Sequence, residues 1–347
     1  MKATASILFI RLSAIGDVIL ASALIPRFRS AYPDARLVWL TDEDHGELLR
    51  HNPHLDEVLL WPRRLWREYL RSGQYRRCWR ELAALIAAVR KQRFAWAIDI
   101  QGLLKSGVWA WLSGAPVRIG LGSREGSQWL MTRVVDRRIT SPLIGKEYRK
   151  LAAELGIPFG RYGMDIAIPP ETAAAAAARL DALGIETAPV ILAPFTTRPQ
   201  KHWLDERWAE LARSLIARGH PVLLLGGAGD RERAAKLTAS APDLIDLSGT
   251  TSLLEAAAII ASARLLIGVD TGLTHLGIAV DTPTLALFGS TRPYLDADTP
   301  RARVLYEPLP CSPCRRQPVC GGDYTCMKLH EVAGVLAATE ELLGATA

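Results

Sequence analysis

The chain contains no apolar run of the length, about 18 residues, that crosses a bilayer as a helix. The longest candidate, residues 253–269, is interrupted by Glu255 and Arg264. The first apolar run, residues 7–10, stops at Arg11 and is too short for the core of a signal peptide. Together these two absences predict a cytoplasmic protein. No segment recurs with a fixed period, which excludes a solenoid or propeller. There is no Walker loop, no Ser-His-Asp constellation and no His-Glu-x-x-His, so P-loop, triad and zincin chemistry find no support. Acidic residues are scarce where basic ones crowd: between Trp61 and Arg80 only Glu68 stands against Arg63, Arg64, Arg67, Arg71, Arg76, Arg77 and Arg80.

What is present is a globular composition, 49% hydrophobic and 22% charged over 347 residues, which suggests about two domains. The net charge of +6 is unevenly spread, because residues 1–150 hold 25 Lys and Arg against 14 Asp and Glu. A basic first half predicts an acidic partner. Trp61, Trp66, Tyr69, Tyr75 and Trp79 alternate with the arginines. A merely solvated helical face has no use for those aromatics. Arg with Trp and Tyr suits a nucleic acid, an anionic lipid surface or an anionic glycolipid, and Arg in place of Lys favours forked recognition of carboxylate or phosphate.

Short apolar runs alternate with amphipathic stretches, the mark of an α/β fold. In the first half, strands are expected over 7–11, 36–41, 57–61 and 96–100, with helices near 17–32, 45–50 and 79–91. Residues 166–170 read as a linker. A second alternating unit follows, with strands over 190–193, 222–225, 244–247 and 265–269. Two open parallel sheets joined by a linker predict ligands at the carboxyl ends of strands, in a cleft between domains. The expected domains are residues 1–168 and 185–328, with a final helix in 329–347.

Four stretches fall at such strand ends. Residues 265–269 run into Asp270-Thr271-Gly272-Leu273-Thr274-His275, a strand, a tight turn and a helix start. The backbone N–H groups of Thr271, Gly272 and Leu273 and the helix dipole suit a phosphate, with Asp270 and His275 flanking it. Asp270 could equally be an ordinary cap. Arg11-Leu12-Ser13-Ala14-Ile15-Gly16-Asp17 sets a carboxylate at the first strand end, either a helix cap or a group able to take a proton from a hydroxyl. Thr196 and Thr197 with Lys201 make a hydroxyl-rich loop with a cation, suited to a diphosphate. Gly226-Gly227-Ala228-Gly229-Asp230 is a glycine turn of a common kind.

In these residues the chain resembles glycosyltransferase family 9, the ADP-heptose:lipopolysaccharide heptosyltransferases. Asp270 to Gly289 looks like the family signature, and Arg-Leu-Ser-Ala-Ile-Gly-Asp-Val like its opening motif. Asp99-Ile100-Gln101-Gly102-Leu103-Leu104-Lys105-Ser106 and the Thr196–His202–Trp203 loop resemble the heptosyltransferase I branch. The resemblance implies the GT-B fold of two Rossmann-like domains, and an inverting, metal-independent transfer of heptose from ADP-heptose to a Kdo sugar of lipid A. It implies a final helix that packs back on the first domain, and Asp17 as general base. It also implies Thr196, Thr197, Lys201, Asp270, Thr271, Gly272, Leu273 and His275 as donor ligands, with Asp230 or Glu232 on the ribose. No metal cofactor is needed on that reading. An anionic acceptor gives the basic first half a purpose, with Arg63, Arg64, Arg67, Lys105 and Arg124 as its ligands at the inner leaflet. A peripheral association with the inner membrane follows, and nucleic acid does not. Another nucleotide-sugar transferase, a GT-B epimerase or hydrolase, and a non-catalytic anion-binding protein are the alternatives.

Five cysteines remain. Cys78 is isolated and reads as a small core residue. Cys311, Cys314, Cys320 and Cys326 form C-x2-C-x5-C-x5-C, open to a structural zinc, an iron–sulfur cluster or free thiols.

Overall fold

The computed structural model describes residues 6–314 and 317–345. It divides into two compact units, residues 1–140 with 145–167, and 141–144 with 168–347. The change of unit near residue 167 falls within the stretch read as a linker.

The first unit holds β1 (Ser6–Ile10), β2 (Arg36–Asp42), β3 (Glu57–Trp61), β4 (Trp96–Asp99), β5 (Val117–Leu121) and β6 (Arg133–Val135). They form one parallel sheet in the order β3-β2-β1-β4-β5-β6. Alternate residues of β1 serve opposite faces, as a strand's period of two requires. Leu8 and Ile10 join Val38, Leu40, Val89 and Trp109 on one side. On the other, Phe9 packs edge-on against Phe28 and tilted against Trp39. The helix expected over 17–32 is two helices, Ile15–Ala21 and Leu24–Ala31, broken where Ser22 hydrogen-bonds back to the Ile19 carbonyl. Pro26 has no N–H to donate to residue 22, so one unbroken helix would lose a bond there.

The second unit repeats the plan with β7 (Val190–Ala193), β8 (Val222–Leu224), β9 (Ile245–Asp246), β10 (Leu265–Val269), β11 (Thr284–Phe288) and β12 (Ala302–Tyr306). Its parallel order is β12-β11-β10-β7-β8-β9. Both orders are the doubly wound 3-2-1-4-5-6 arrangement, which opens a crevice where the winding reverses. That reversal lies between β1 and β4 in one unit and between β7 and β10 in the other. β10 and β11 are buried along their whole length, which their unbroken apolar sequence reflects. The final helix, Val332–Ala345, was expected on the first domain. Its apolar face of Val332, Val335, Ala338 and Leu342 instead joins Trp208, Leu211 and Leu287 in the second unit's core.

Candidate functional sites at the two winding reversals

In the first unit the loop after β1 meets the loop after β4. Arg11, almost fully buried, donates to the Ile100 carbonyl, and Gln101 Oε1 accepts from the Leu12 N–H at 2.9 Å. Arg11 also pairs with Asp17. Asp17 lies in the first turn of the helix Ile15–Ala21 with its side chain 47% exposed. Burial resists its ionisation, but the Arg11 charge, the Ala14 N–H and Arg137 outweigh it and hold the carboxyl below its usual value. Arg11 and Ala14 both address Oδ2, so among the described residues Oδ1 accepts no hydrogen bond. Asp17 therefore presents an ionised, half-exposed oxygen at the crevice. Buried Tyr148 points its hydroxyl at the Asp17 backbone carbonyl, 3.5 Å away.

Cations gather at the same strand ends. Lys105, in the first turn of the helix Leu104–Leu112, reaches Ser13 Oγ at 3.1 Å. Partial burial and the charges of Arg63 and Arg11 lower its pKa, which sets these three cations within electrostatic reach of one another. Arg63 Nε lies 2.6 Å from buried Asp42 at the end of β2. Arg64 pairs with Asp44 and stands 3.8 Å from Glu43. The arginine run is thus opposed in space by Asp42, Glu43 and Asp44, a compensation the local sequence around 61–80 does not display. Arg67 lines an open surface hollow with Arg64, Glu68, Arg71 and Ser72. Arg124 is exposed after β5, its N–H donating to the Gly102 carbonyl. The sequence reading missed His45, whose pKa is lowered by burial and which lies among Asp42, Asp44, Arg63 and Lys105.

The aromatics of this region separate into two groups. Trp61, Trp66 and Trp109 pack mutually at 6.2–6.4 Å between ring centroids and close the core. Tyr75 and Trp79, about two-thirds exposed, stand outside among the remaining arginines with Leu70.

In the second unit Asp270 ends β10 at the reversal. Its carboxylate takes Lys201 Nζ at 2.6 Å, the Thr291 hydroxyl and, at 3.4 Å, His275 Nε2. Burial opposes ionisation, but His275 and Lys201 overcome it and hold Asp270 well below the usual carboxylate range. His275 Nδ1 meets the Tyr294 hydroxyl at 2.9 Å. Thr271 is the N-cap of the helix Gly272–Ala279, and Asp270 is not; its carboxylate faces Lys201 instead. The Thr271 N–H is spent on the Val269 carbonyl. That corrects the expected anion cradle: Gly272 and Leu273, in the helix's first turn, retain N–H groups without an intrahelical partner. Gly268 makes the turn feasible, since a Cβ there would lie 2.3 Å from Thr274 Oγ1. Thr274 needs that space to hydrogen-bond the Val269 carbonyl at 2.6 Å. Thr196 and Thr197 follow β7 in the loop that leads to Lys201, Thr197 exposed and Thr196 half-buried. Asp230 Oδ2 accepts from the Gly227 N–H at 2.8 Å and closes its own turn. Glu232, nearly fully exposed, pairs with Lys236 along the helix Arg231–Ser240.

Cys311, Cys314, Cys320 and Cys326 line one cavity with Ser290 and Leu309, which follow the ends of β11 and β12. None is in a disulfide. Burial and the three other cysteines push the Cys326 thiol up to about 11. Cys78 is half-buried beside the Trp66 carbonyl. Among the described residues no helix is long and apolar enough to cross a membrane.

Comparison with known proteins fits this geometry. The family model for glycosyltransferase family 9 (heptosyltransferase) matches residues 82–324. Lipopolysaccharide heptosyltransferase 1 of Pseudomonas aeruginosa is 30% identical over 90% of this chain and 86% of its own. A glycosyl transferase family 9 structure from Veillonella parvula superposes with a TM-score of 0.86 over 98% of this chain and 97% of that one, at 22% identity. The Escherichia coli heptosyltransferase WaaC with ADP-2-deoxy-2-fluoro heptose does so with 0.72 over 97% and 99%, at 24% identity. Such similarity carries the GT-B fold. By the family match and the first of these relatives, this chain is a glycosyltransferase and belongs to family 9, the heptosyltransferases.

Proposed function

We propose that this chain transfers heptose from ADP-heptose to a Kdo sugar of lipid A, with inversion and without a metal, in lipopolysaccharide assembly. The observation that carries the reading is the half-exposed Asp17 carboxylate, ionised by Arg11 and set beside a cationic cluster. A sugar hydroxyl is a poor nucleophile, so a base within hydrogen-bond reach matters most as the new C–O bond forms. Asp17 Oδ1 takes the hydroxyl proton as that oxygen attacks the anomeric carbon, and the bond to the diphosphate breaks with ADP as leaving group. Because Arg11 depresses its basicity, Asp17 acts late, once attack has acidified the hydroxyl.

The leaving diphosphate gathers negative charge. Lys201, the Thr196 and Thr197 hydroxyls and the N–H groups of Gly272 and Leu273 are the groups in the second unit that answer it. Asp270 and His275 address the donor sugar from the same crevice. Asp230 is occupied by its own turn, which leaves Glu232 for the ribose. On the first unit Arg63, Lys105 and Arg124 take the Kdo carboxylate, and Arg64 and Arg67 the lipid A phosphates. Exposed Trp79, Tyr75 and Leu70 among arginines suit the anionic, half-apolar inner leaflet, so the enzyme works in the cytoplasm at the membrane surface.

A coupled assay of ADP release tests this reading with ADP-heptose and Kdo-lipid A, alone and together. ADP formed only when both are present, and undiminished by EDTA, supports it. Release that ignores the acceptor makes the enzyme a hydrolase, and release with a different sugar nucleotide replaces the donor.

A further inference from the structure

The cysteine cavity has no part in the transfer chemistry, yet it is built. Four thiols from residues 311–326 line a space of about 220 Å³ whose other walls include Leu309, Pro310 and Val319. The turn after Cys320 is shaped to return the chain: Gly321, Gly322 and Tyr324 all have positive φ, at 59°, 93° and 50°. The Tyr324 N–H then points at Cys320 Sγ, 3.4 Å away. Ser290 supplies an independent sign. It is 1% exposed, it lines this cavity, and among the described residues its hydroxyl has no hydrogen-bond partner. A buried hydroxyl left unpaired is costly, and a negatively charged acceptor inside the cavity would offset that cost. His330 is not available to that space, because its Nε2 donates to the Phe288 carbonyl at 2.8 Å.

We propose that Cys311, Cys314, Cys320 and Cys326 are the ligands of a single soft divalent cation, zinc or ferrous iron, in a closed tetrathiolate site. Among the described residues no three His, Cys, Asp or Glu side chains already converge on one point. Assembly therefore accompanies binding: four S–H bonds give up their protons to water and four sulfur–metal bonds form. The product carries a net charge of −2. The N–H of Tyr324 and the hydroxyl of Ser290 donate to its sulfurs, and the sequence places Arg315 and Arg316 between the second and third ligands.

The site is structural, and what it braces can be traced. Ser312 Oγ donates to the Gly289 carbonyl at 2.5 Å and Cys314 Sγ approaches the Ser290 carbonyl at 3.8 Å. The next residue, Thr291, holds the Asp270 carboxylate. The ion thus fixes the turn at the end of β11 that supports Asp270.

The test is metal analysis of the full chain purified without a His tag, before and after anaerobic exposure to zinc or ferrous iron. The expected result is on the order of one metal per chain. In the Cys314→Ser, Cys320→Ser double variant that metal falls to background and the thermal transition drops, while Cys78→Ser changes neither. Should the double variant not fold, wild-type protein treated with a mercurial answers the same question, since its metal must then appear in solution as the thiols are capped. Metal below about 0.2 per chain after reconstitution overturns the proposal. So does metal retained without Cys314 and Cys320, or stoichiometric acid-labile sulfide, which would make the occupant an iron–sulfur cluster.

Discussion

Lys201→Met isolates the ion pair at the centre of the second unit's crevice. Lys201 and Asp270 are 2.6 Å apart with side chains only 18% and 12% exposed. Removing one partner of a fully buried pair costs about 3–5 kcal/mol, because the other charge is left without compensation. Here Thr291 and His275 remain on Asp270 and solvent reaches both groups, so the expected loss is about 2 kcal/mol. At about 2–4 °C per kcal/mol for a unit of this size, the thermal transition should fall by about 4–8 °C. Asp270→Asn and the double variant complete a cycle, read by calorimetry, in which the two losses must fail to add by at least about 1 kcal/mol. The pH dependence has a definite sign. The folded Asp270 value is depressed, so its contribution is whole above the unfolded carboxylate value of about 3.9 and is lost as pH falls through the folded one. The gap between wild type and Lys201→Met should therefore be constant near neutrality and close in acid. ADP affinity, measured by titration calorimetry, should drop about tenfold in Lys201→Met for loss of one charge-assisted bond. Losses that add within about 0.5 kcal/mol, or unchanged ADP affinity, would refute the reasoning.

Neutralising Arg63, Arg64 and Arg67 together should raise the acceptor KM while leaving ADP-heptose binding intact, as steady-state kinetics and calorimetry would show. Singly, Arg63→Met should lower the thermal transition more than Arg64→Met, because it strands the buried Asp42, whereas Arg64 is 73% exposed. Gly268→Ala drives a Cβ to within 2.3 Å of Thr274 Oγ1 and 3.1 Å of Ala193 Cβ, so it should destabilise the second unit by about 1–3 kcal/mol in denaturant unfolding. Glu232→Gln should weaken ADP binding while Asp230→Asn chiefly loosens its turn, a contrast that hydrogen exchange at Gly227 and ADP titration separate.

Much of the fold was legible because parallel strands buried on both faces are continuous apolar runs, as 7–10 and 265–269 are. β5, β6 and β12 escaped notice because each carries an arginine, Arg118, Arg133 or Arg303, that disguises the run. Asp17, Lys201, Asp270 and His275 could be singled out because each follows a strand end or opens a helix. Their partners could not. Arg11 was quoted only as part of a motif, Tyr294 and Thr291 reach the crevice from a loop with no local signature, and Tyr148 comes from beyond residue 140. The arginine run looked unopposed because Asp42, Glu43 and Asp44 lie some twenty residues earlier and meet it only through the pairing of β2 with β3. Thr271 was assigned a free N–H that a tight turn to Val269 consumes, a detail of backbone geometry no side-chain pattern encodes.

The most direct test is single-turnover transfer by Asp17→Asn with ADP-heptose bound and Kdo-lipid A added. The thermal transition is followed on the same sample, because the change also unpairs Arg11. A general base predicts a rate lower by about 10²–10⁴-fold with ADP-heptose affinity unchanged and the fold intact. A variant that is folded, binds the donor normally and transfers heptose at a rate within a few-fold of wild type would contradict the role of Asp17 and the mechanism built on it.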